Sequence, residues 1–159
     1  MVLCYLALGS NLRSPHRQLR HALQALRRIP RTCIQQQSRI YSTKPMGVKA
    51  QPDFLNMAVA IGTSLSPERL LHYCHSIEQN QHRLKKKKWG ARTLDIDILL
   101  FGQHCLSLPK LCIPHPELLH RDFVLLPLLE IAPNLCLPTG EHLADHVPTH
   151  HTWVRKIMK

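Results

Sequence analysis

Two acidic side chains alternate at the head of an apolar segment, and a tryptophan and an arginine, Trp89 and Arg92, precede them. Side chains in a strand alternate between its two faces, so Asp95 and Asp97 are expected to project from the same side. Same-face neighbours lie about 6 to 7 Å apart. Mg²⁺ prefers oxygen ligands and commonly combines one or two carboxylates with substrate phosphates. The pattern predicts a magnesium site for nucleotide chemistry, and a solvated edge strand without a bound ion is the alternative.

Composition is consistent with one small domain that binds an anion. The chain has 159 residues, 44% of them hydrophobic, which fits a single domain with its own core. Its formal charge of +11 predicts an anionic partner. The densest positive run, residues 85–88, is either a solvated loop or a mobile loop over phosphates.

Cysteines, histidines and apolar runs predict neither a zinc site nor a membrane segment. The six cysteines form no C-x-x-C pair, so we expect reduced thiols, and the twelve histidines are expected mainly at the surface. No apolar run approaches the roughly 20 residues that span a bilayer. The first apolar run, residues 2–8, lacks the features of a signal peptide. We therefore expect a cytoplasmic protein without a membrane partner.

Strand and helix patterns alternate along the chain. The first two predicted helices each begin at a Ser-Pro pair, which supplies an N-cap and a first-turn proline. The third predicted helix begins at about Asp122. The order strand, helix, strand, strand, helix, strand predicts a ferredoxin-like α+β domain, with a mainly antiparallel sheet and the helices on one face. Predicted strands cover about residues 2–8, 32–41, 54–63 and 95–101, and predicted helices cover about 15–28, 67–81 and 122–131.

Several ordered motifs resemble one enzyme family. They are A-L-G-S-N-L from Ala7, P-D-F-L-N from Pro52, K-W-G-A-R-T-L-D-I-D-I-L-L-F-G from Lys88, and I-P-H-P from Ile113 with the downstream L-x-P-L-x-E-I-A-P. Together they resemble 6-hydroxymethyl-7,8-dihydropterin pyrophosphokinase of the folate pathway. The resemblance extends to about residue 138, and the tail from about 139 has no signature. One domain over 1–159 is expected.

The resemblance implies an ATP-dependent pyrophosphoryl transfer to the hydroxymethyl group of the pterin, with release of AMP. It implies that Asp95 and Asp97 hold two Mg²⁺ ions and that Arg83 and Arg92 bind the transferred phosphates. The ATP-binding residues that it implies are Glu78, Arg83, Lys85, Lys88, Trp89, Arg92, Ile98, His115 and Arg121.

The resemblance also implies a pterin site. Phe54 and Phe123 would sandwich the flat ring by offset stacking. Asn56 would read its edge with a donor and an acceptor. The remaining implied contacts are Thr43, Lys44, Met46 and Asp95.

Two other classes of protein compete with this interpretation. Basic charge on a ferredoxin-like order also suits an RNA-recognition module, but its aromatic strand motif is missing and aromatic content is only 5%. A relative that binds pterin or nucleotide without turnover is the second alternative, although both acids and both arginines are present. We expect small-molecule substrates, no nucleic acid partner and a monomer.

Overall fold

A computed structural model of the chain describes residues 1–44, 52–81, 93–148 and 154–157. Three α-helices and eight strands occur in these ranges. The helices are α1 (Pro15–Arg27), α2 (Pro67–Asn80) and α3 (Asp122–Ile131). The strands are β1 (Val2–Ser10), β2 (Thr32–Gln37), β3 (Ile40–Thr43), β4 (Phe54–Thr63), β5 (Asp95–Phe101), β6 (Leu106–Leu108), β7 (Leu111–Ile113) and β8 (Val154–Ile157).

One antiparallel sheet organises the molecule. Its strand order is β5-β1-β4-β3-β8, and β2 also pairs with β4. The strand that follows α1 in a ferredoxin-like unit is here divided into β2 and β3, both paired with β4, so the predicted fold is confirmed. Strands β6 and β7 form a separate hairpin. In the part of the chain that the structure describes, no helix has the length and apolarity needed to cross a bilayer.

The sheet has a helical layer on each side. Helices α1 and α2 bury apolar stripes against one face, where Leu26 and Leu70 are fully enclosed. Helix α3 packs on the opposite face, with Leu125 and Leu128 against Ala58 of β4. The expectation that all helices lie on one face is therefore wrong for α3. A short leucine-rich helix can bury any of its sides, so its periodicity does not specify which face of a sheet it covers.

Helix starts follow the local sequence only in part. Ser66 caps α2, since its Oγ accepts a hydrogen bond from the backbone N of Arg69 at 3.3 Å. Ser14 lies in the left-handed region (φ 60°) and makes no side-chain cap at α1, although Pro15 occupies the first turn as predicted. Pro127 lies buried inside α3, which begins at Asp122 as predicted.

Candidate active site

The two carboxylates lie at the start of β5, which is an edge strand of the sheet. Ile96 and Ile98 enter the core shared with α1 and α2, so the alternating Asp95 and Asp97 point to the α3 side. Both acids are partly exposed and line a cleft of about 440 Å³. The predicted shared face of the two acids is confirmed, and their oxygens are accessible to a ligand.

Glu78 of α2 fixes the acid-bearing strand. Its side chain is 2% exposed, and Oε2 accepts a hydrogen bond from the backbone N of Ile96 at 2.8 Å. This bond satisfies a backbone donor on the outer edge of β5, between the two aspartates. Glu78 also lines the cleft, as its predicted role at ATP requires. The geometry gives it a second task, which is to position Asp95 and Asp97.

His115 faces the acid pair with one ring nitrogen. Its backbone N donates to the carbonyl oxygen of Leu99 at 2.9 Å, which holds the loop after β7 against β5. Ring Nδ1 accepts a hydrogen bond from the backbone N of Glu117 at 3.1 Å, while Nε2 lies 4.0 Å from Oδ1 of Asp97. Only Nε2 is thus directed to the acid pair in the cleft.

Burial lowers the pKa of His115, and the nearby Arg121 guanidinium lowers it further, while Asp95 and Glu117 act in the opposite direction. The imidazole is therefore mainly neutral at pH 7. Because Nδ1 is an acceptor, the proton resides on Nε2. His115 can donate one hydrogen bond into the cleft without adding a full positive charge.

A second polar group lies on the same face of the sheet, two strands away. Asn56 Nδ2 donates to Thr43 Oγ1 at 2.8 Å, and both residues are buried. Asn56 of β4 pairs with Gly9 of β1, and Gly9 pairs with Asp95 of β5. The three residues form one row across the sheet, so the acid and the amide lie about 10 Å apart.

Gly9 leaves open space in the middle of this row. A Cβ at this position would lie 3.1 Å from Asn56 Oδ1, closer than most side-chain contacts allow. A larger residue would displace the amide or fill the space between Asn56 and Asp95. The glycine of the A-L-G-S-N-L motif therefore keeps the space between Asn56 and Asp95 open.

The two residues after Gly9 hold the segments that enter the site. The Ser10 hydroxyl donates to the carbonyl oxygen of Thr93, just before β5, and Asn11 Nδ2 donates to the carbonyl oxygen of Pro52 at 3.0 Å, just before β4. Ser10 and Asn11 are buried. The motif thus joins the starts of the two strands that carry the acids and the amide.

The predicted aromatic pair lies on the α3 side of the sheet. Phe54 shares its face of β4 with Asn56, and Phe123 in the first turn of α3 packs against the core of that side. The Arg121 guanidinium carbon lies 5.8 Å from the centroid of the Phe123 ring, within cation–π range. Arg121 also lines the cleft, so it connects the aromatic side of the site with the acidic side.

The structure brings most of the described candidates together. The cleft collects Glu78, Asp95, Asp97, Ile98, His115 and Arg121. Thr43, Asn56 and Phe54 lie at the adjacent end of β3 and β4, and Lys44 follows β3 as an exposed residue. Six candidates fall outside the described residues, namely Met46, Arg83, Lys85, Lys88, Trp89 and Arg92.

Eight residues that line the cleft were missed by sequence reasoning, and three of them, His75, Lys110 and Cys112, have titratable side chains. His75 lies one helical turn before Glu78, and this i, i+3 spacing could have identified it. Lys110 and Cys112 enter from the β6–β7 hairpin. No local pattern marks them, because only tertiary packing of β7 beside β5 brings the hairpin to the cleft.

Comparison with known proteins agrees with this geometry. Residues 5–133 match the model of the family described as 7,8-dihydro-6-hydroxymethylpterin-pyrophosphokinase (HPPK). The 2-amino-4-hydroxy-6-hydroxymethyldihydropteridine pyrophosphokinase of Pseudomonas aeruginosa is 46% identical over 141 residues, covering 89% of this chain and 87% of the relative. The enzyme of the same name from Haemophilus influenzae is 42% identical over 147 residues, covering 92% of each.

Solved structures share the fold at much lower identity. A crystal structure of HPPK-DHPS in complex with substrates aligns over 91% of this chain with a TM-score of 0.70 and 16% identity. Plasmodium falciparum HPPK-DHPS with pteroate aligns over 91% with a TM-score of 0.73 and 15% identity. This chain spans only 42% and 41% of those two longer proteins. Because the family model covers most of the chain, the chain belongs to the 7,8-dihydro-6-hydroxymethylpterin-pyrophosphokinase family.

Proposed function

We propose that this chain transfers the β,γ-pyrophosphoryl group of ATP to the hydroxymethyl oxygen of 6-hydroxymethyl-7,8-dihydropterin, a step of folate biosynthesis. The bond between the β-phosphorus and the oxygen bridging to the α-phosphate breaks, and AMP leaves with that oxygen. A new bond forms between the pterin oxygen and the β-phosphorus, and the hydroxyl proton passes to solvent. The row Asp95–Gly9–Asn56 is the observation that supports this proposal. It places a carboxylate for Mg²⁺ and an amide that can hydrogen-bond the edge of the pterin ring on one face of the sheet.

The acid pair suits magnesium. Asp95 and Asp97 offer carboxylate oxygens to the cleft, the donor type that Mg²⁺ prefers. Among the described residues, no group of three or more His, Cys, Asp or Glu side chains could hold a metal. Two carboxylates completed by substrate phosphates and water are the usual arrangement for this ion. Two bound ions would lower the negative charge of the transferred group and of the attacking hydroxyl.

The described side chains contribute positioning and charge. Asn56, held by Thr43, presents Oδ1 and its second amide hydrogen to the pterin edge, and Phe54 and Phe123 bury its faces. His115 Nε2 and the Arg121 guanidinium donate to ATP oxygens on the cleft side. Arg83 and Arg92 are proposed to stabilise the transferred phosphates by bidentate contacts. Positioning and electrostatic stabilisation supply most of the rate in phosphoryl transfer.

Release of AMP from ATP and the pterin, with and without Mg²⁺, tests the function directly. Asp97→Ala is expected to lower turnover by about 10³-fold or more, since one Mg²⁺ contact is lost. Asp145→Ala is the matched control, because Asp145 is an exposed acid in the short 3-10 helix Leu143–His146, on a different element from the acid pair. Circular dichroism verifies the fold of both variants.

Two outcomes would contradict the proposal. Normal turnover of Asp97→Ala with Mg²⁺ would remove the acid pair from the reaction. Binding of pterin and nucleotide without AMP release would favour a non-catalytic relative. The monomeric state stays a prediction that sedimentation of the full chain would check.

A further inference from the structure

The positive charge of the chain is concentrated in its first third. Residues 1–52 contain seven arginines and two lysines but no aspartate or glutamate, so they carry +9 of the total formal charge of +11. The first acidic residue is Asp53. Most of this charge lies outside the cleft, so the proposed reaction does not account for it.

Helix α1 displays part of this charge along one side, which we call the arginine stripe. It consists of Arg17, Arg20, Arg27 and Arg28, of which the last follows the helix directly, and all four are exposed. At 100° per residue, these positions fall within one third of the helix circumference. The opposite side of α1 packs in the core, where the buried residues are Leu19, Ala22, Leu23 and Leu26.

No protein carboxylate neutralises the stripe within the part of the chain that the structure describes. Neither the His115–Asp97 pair nor the His146–Glu141 pair includes a stripe arginine. From Arg17 to Arg28 the stripe extends about 16 Å at 1.5 Å per residue. It therefore forms an extended line of uncompensated charge rather than a single anion pocket.

The stripe also lies away from the substrate face. Helix α1 packs on the sheet face shared with α2, whereas the acids and the Asn56 amide point to the α3 side. None of the four stripe arginines lines the cleft, to which α2 contributes Leu71, His75 and Glu78.

We propose that the arginine stripe is a second binding surface, for the phosphodiester backbone of duplex nucleic acid, recognised without regard to sequence. Guanidinium groups bind phosphate oxygens in pairs and suit this role better than lysines. A 16 Å length of duplex presents about nine phosphate charges. The stripe contains no aromatic residue to stack on bases, so it contacts backbone only. This revises the expectation of no nucleic acid partner, which rested on the missing aromatic strand of an RNA-recognition sheet.

A membrane surface fits α1 less well. Helices that lie in a bilayer interface bury an apolar side into the lipid. The apolar residues of α1 are already buried in the protein core, so the helix has no such side left to insert.

The test measures affinity of the full chain for a mixed-sequence DNA duplex over a range of salt concentrations. Each phosphate contact contributes about −0.9 to the slope of log K against log salt. The triple variant Arg17→Gln, Arg20→Gln, Arg27→Gln is expected to make that slope less negative by about 2.7. It is also expected to weaken binding at low salt at least about tenfold. AMP release should remain within about twofold of the unaltered protein, since none of the three residues is in the site.

Matched variants locate the surface. Arg20→Gln should reduce the slope by about 0.9, whereas Arg69→Gln, an exposed arginine on α2, should leave it unchanged. The charge-keeping set Arg17→Lys, Arg20→Lys, Arg27→Lys should keep the slope. A slope loss with the lysine set, in a variant whose circular dichroism is unchanged, would show that the positive charge of the stripe is not what binds the duplex and would overturn the proposal.

Three further results would also overturn it. Equal slope losses for Arg20→Gln and Arg69→Gln would show diffuse charge instead of a surface on α1. Displacement of the duplex by a saturating non-hydrolysable ATP analogue with Mg²⁺ would place binding in the cleft. Equal, stripe-dependent binding to anionic phospholipid vesicles or to polyglutamate would show that the stripe does not select nucleic acid.

Discussion

The two faces of the sheet differ in how completely they are covered. Helices α1 and α2 close one face with a continuous apolar core. On the other face α3 covers the middle of β4 and β1, and the ends of the strands remain polar, with Asn56 and Thr43 on the same face as the acids of β5. The candidate site lies where the helical cover stops. The closed face contains a continuous apolar core, and the partly open face presents polar side chains to a ligand.

Strand β5 serves both faces. Its Ile96 and Ile98 belong to the closed core, whereas Asp95 and Asp97 face the cleft. Cys74, a buried residue on the closed side, also senses the acids near the cleft. Burial raises the pKa of its thiol to about 12, and the negative charges of Glu78 and Asp97 act in the same direction. The two faces differ in composition but share one rigid strand.

The largest effect should come from a cavity in the closed face. Leu26→Ala removes a fully buried side chain of α1 and should lower the free energy of unfolding by about 2 to 5 kcal/mol. Denaturant unfolding measures this loss, and Gln24→Ala, an exposed position on the same helix, is the control. KM for the pterin should stay unchanged at a temperature where the variant is folded. A large KM increase there would show that the faces are not separable.

The sequence predicted the elements better than their placement. Alternation placed Ile96 and Ile98 opposite the acids, and the order of elements specified the ferredoxin-like sheet. Alternation fails further along β5, because a register shift between Tyr5 and Leu6 puts both Leu99 and Leu100 in the α3-side core. Such an irregularity depends on strand pairing and leaves no local pattern.

Site residues show the same limit. Spacing alone indicated that Asp95 and Asp97 share a face, and resemblance assigned the other roles. The hydrogen bond from the Ile96 backbone to Glu78 joins residues 18 positions apart, so only the packed structure reveals that Glu78 positions the acids. The β6–β7 hairpin reaches the cleft for the same reason.

A smaller effect should come from the link between β3 and α3 on the open face. The Tyr41 hydroxyl donates to Glu130 Oε1 at 2.6 Å, and Oε2 of the same carboxylate accepts from the backbone N of Arg39 at 2.9 Å. Tyr41 pairs with Asn56 across the sheet, and Glu130 lies on the helix that carries Phe123. Glu130 therefore sets the position of Asn56, one proposed pterin contact, relative to Phe123, another.

Tyr41→Phe should cost about 1 kcal/mol of stability and raise KM for the pterin about fivefold, with KM for ATP unchanged. Tyr5→Phe is the control, since Tyr5 is buried to the same degree as Tyr41 and its hydroxyl makes no hydrogen bond within the described residues. Initial-rate kinetics with each substrate varied separately measure both constants. Equal changes in the two KM values would mean that the link supports the fold without positioning the pterin.

The smallest effect concerns the charge state of His115 in the ligand-free protein. Burial and Arg121 lower its pKa below the usual 6.5, so the unfolded chain binds this proton more readily than the folded chain. Stability should therefore fall as pH drops from 6.5 to the folded pKa and stay level below it. NMR titration of the ring should give a value under 6.5, and His115→Gln should remove this contribution to the pH dependence of unfolding. His21→Gln, at an exposed position on α1, should leave it intact. A pKa above 6.5 would mean that the aspartates dominate the open face and that His115 meets phosphate as a cation.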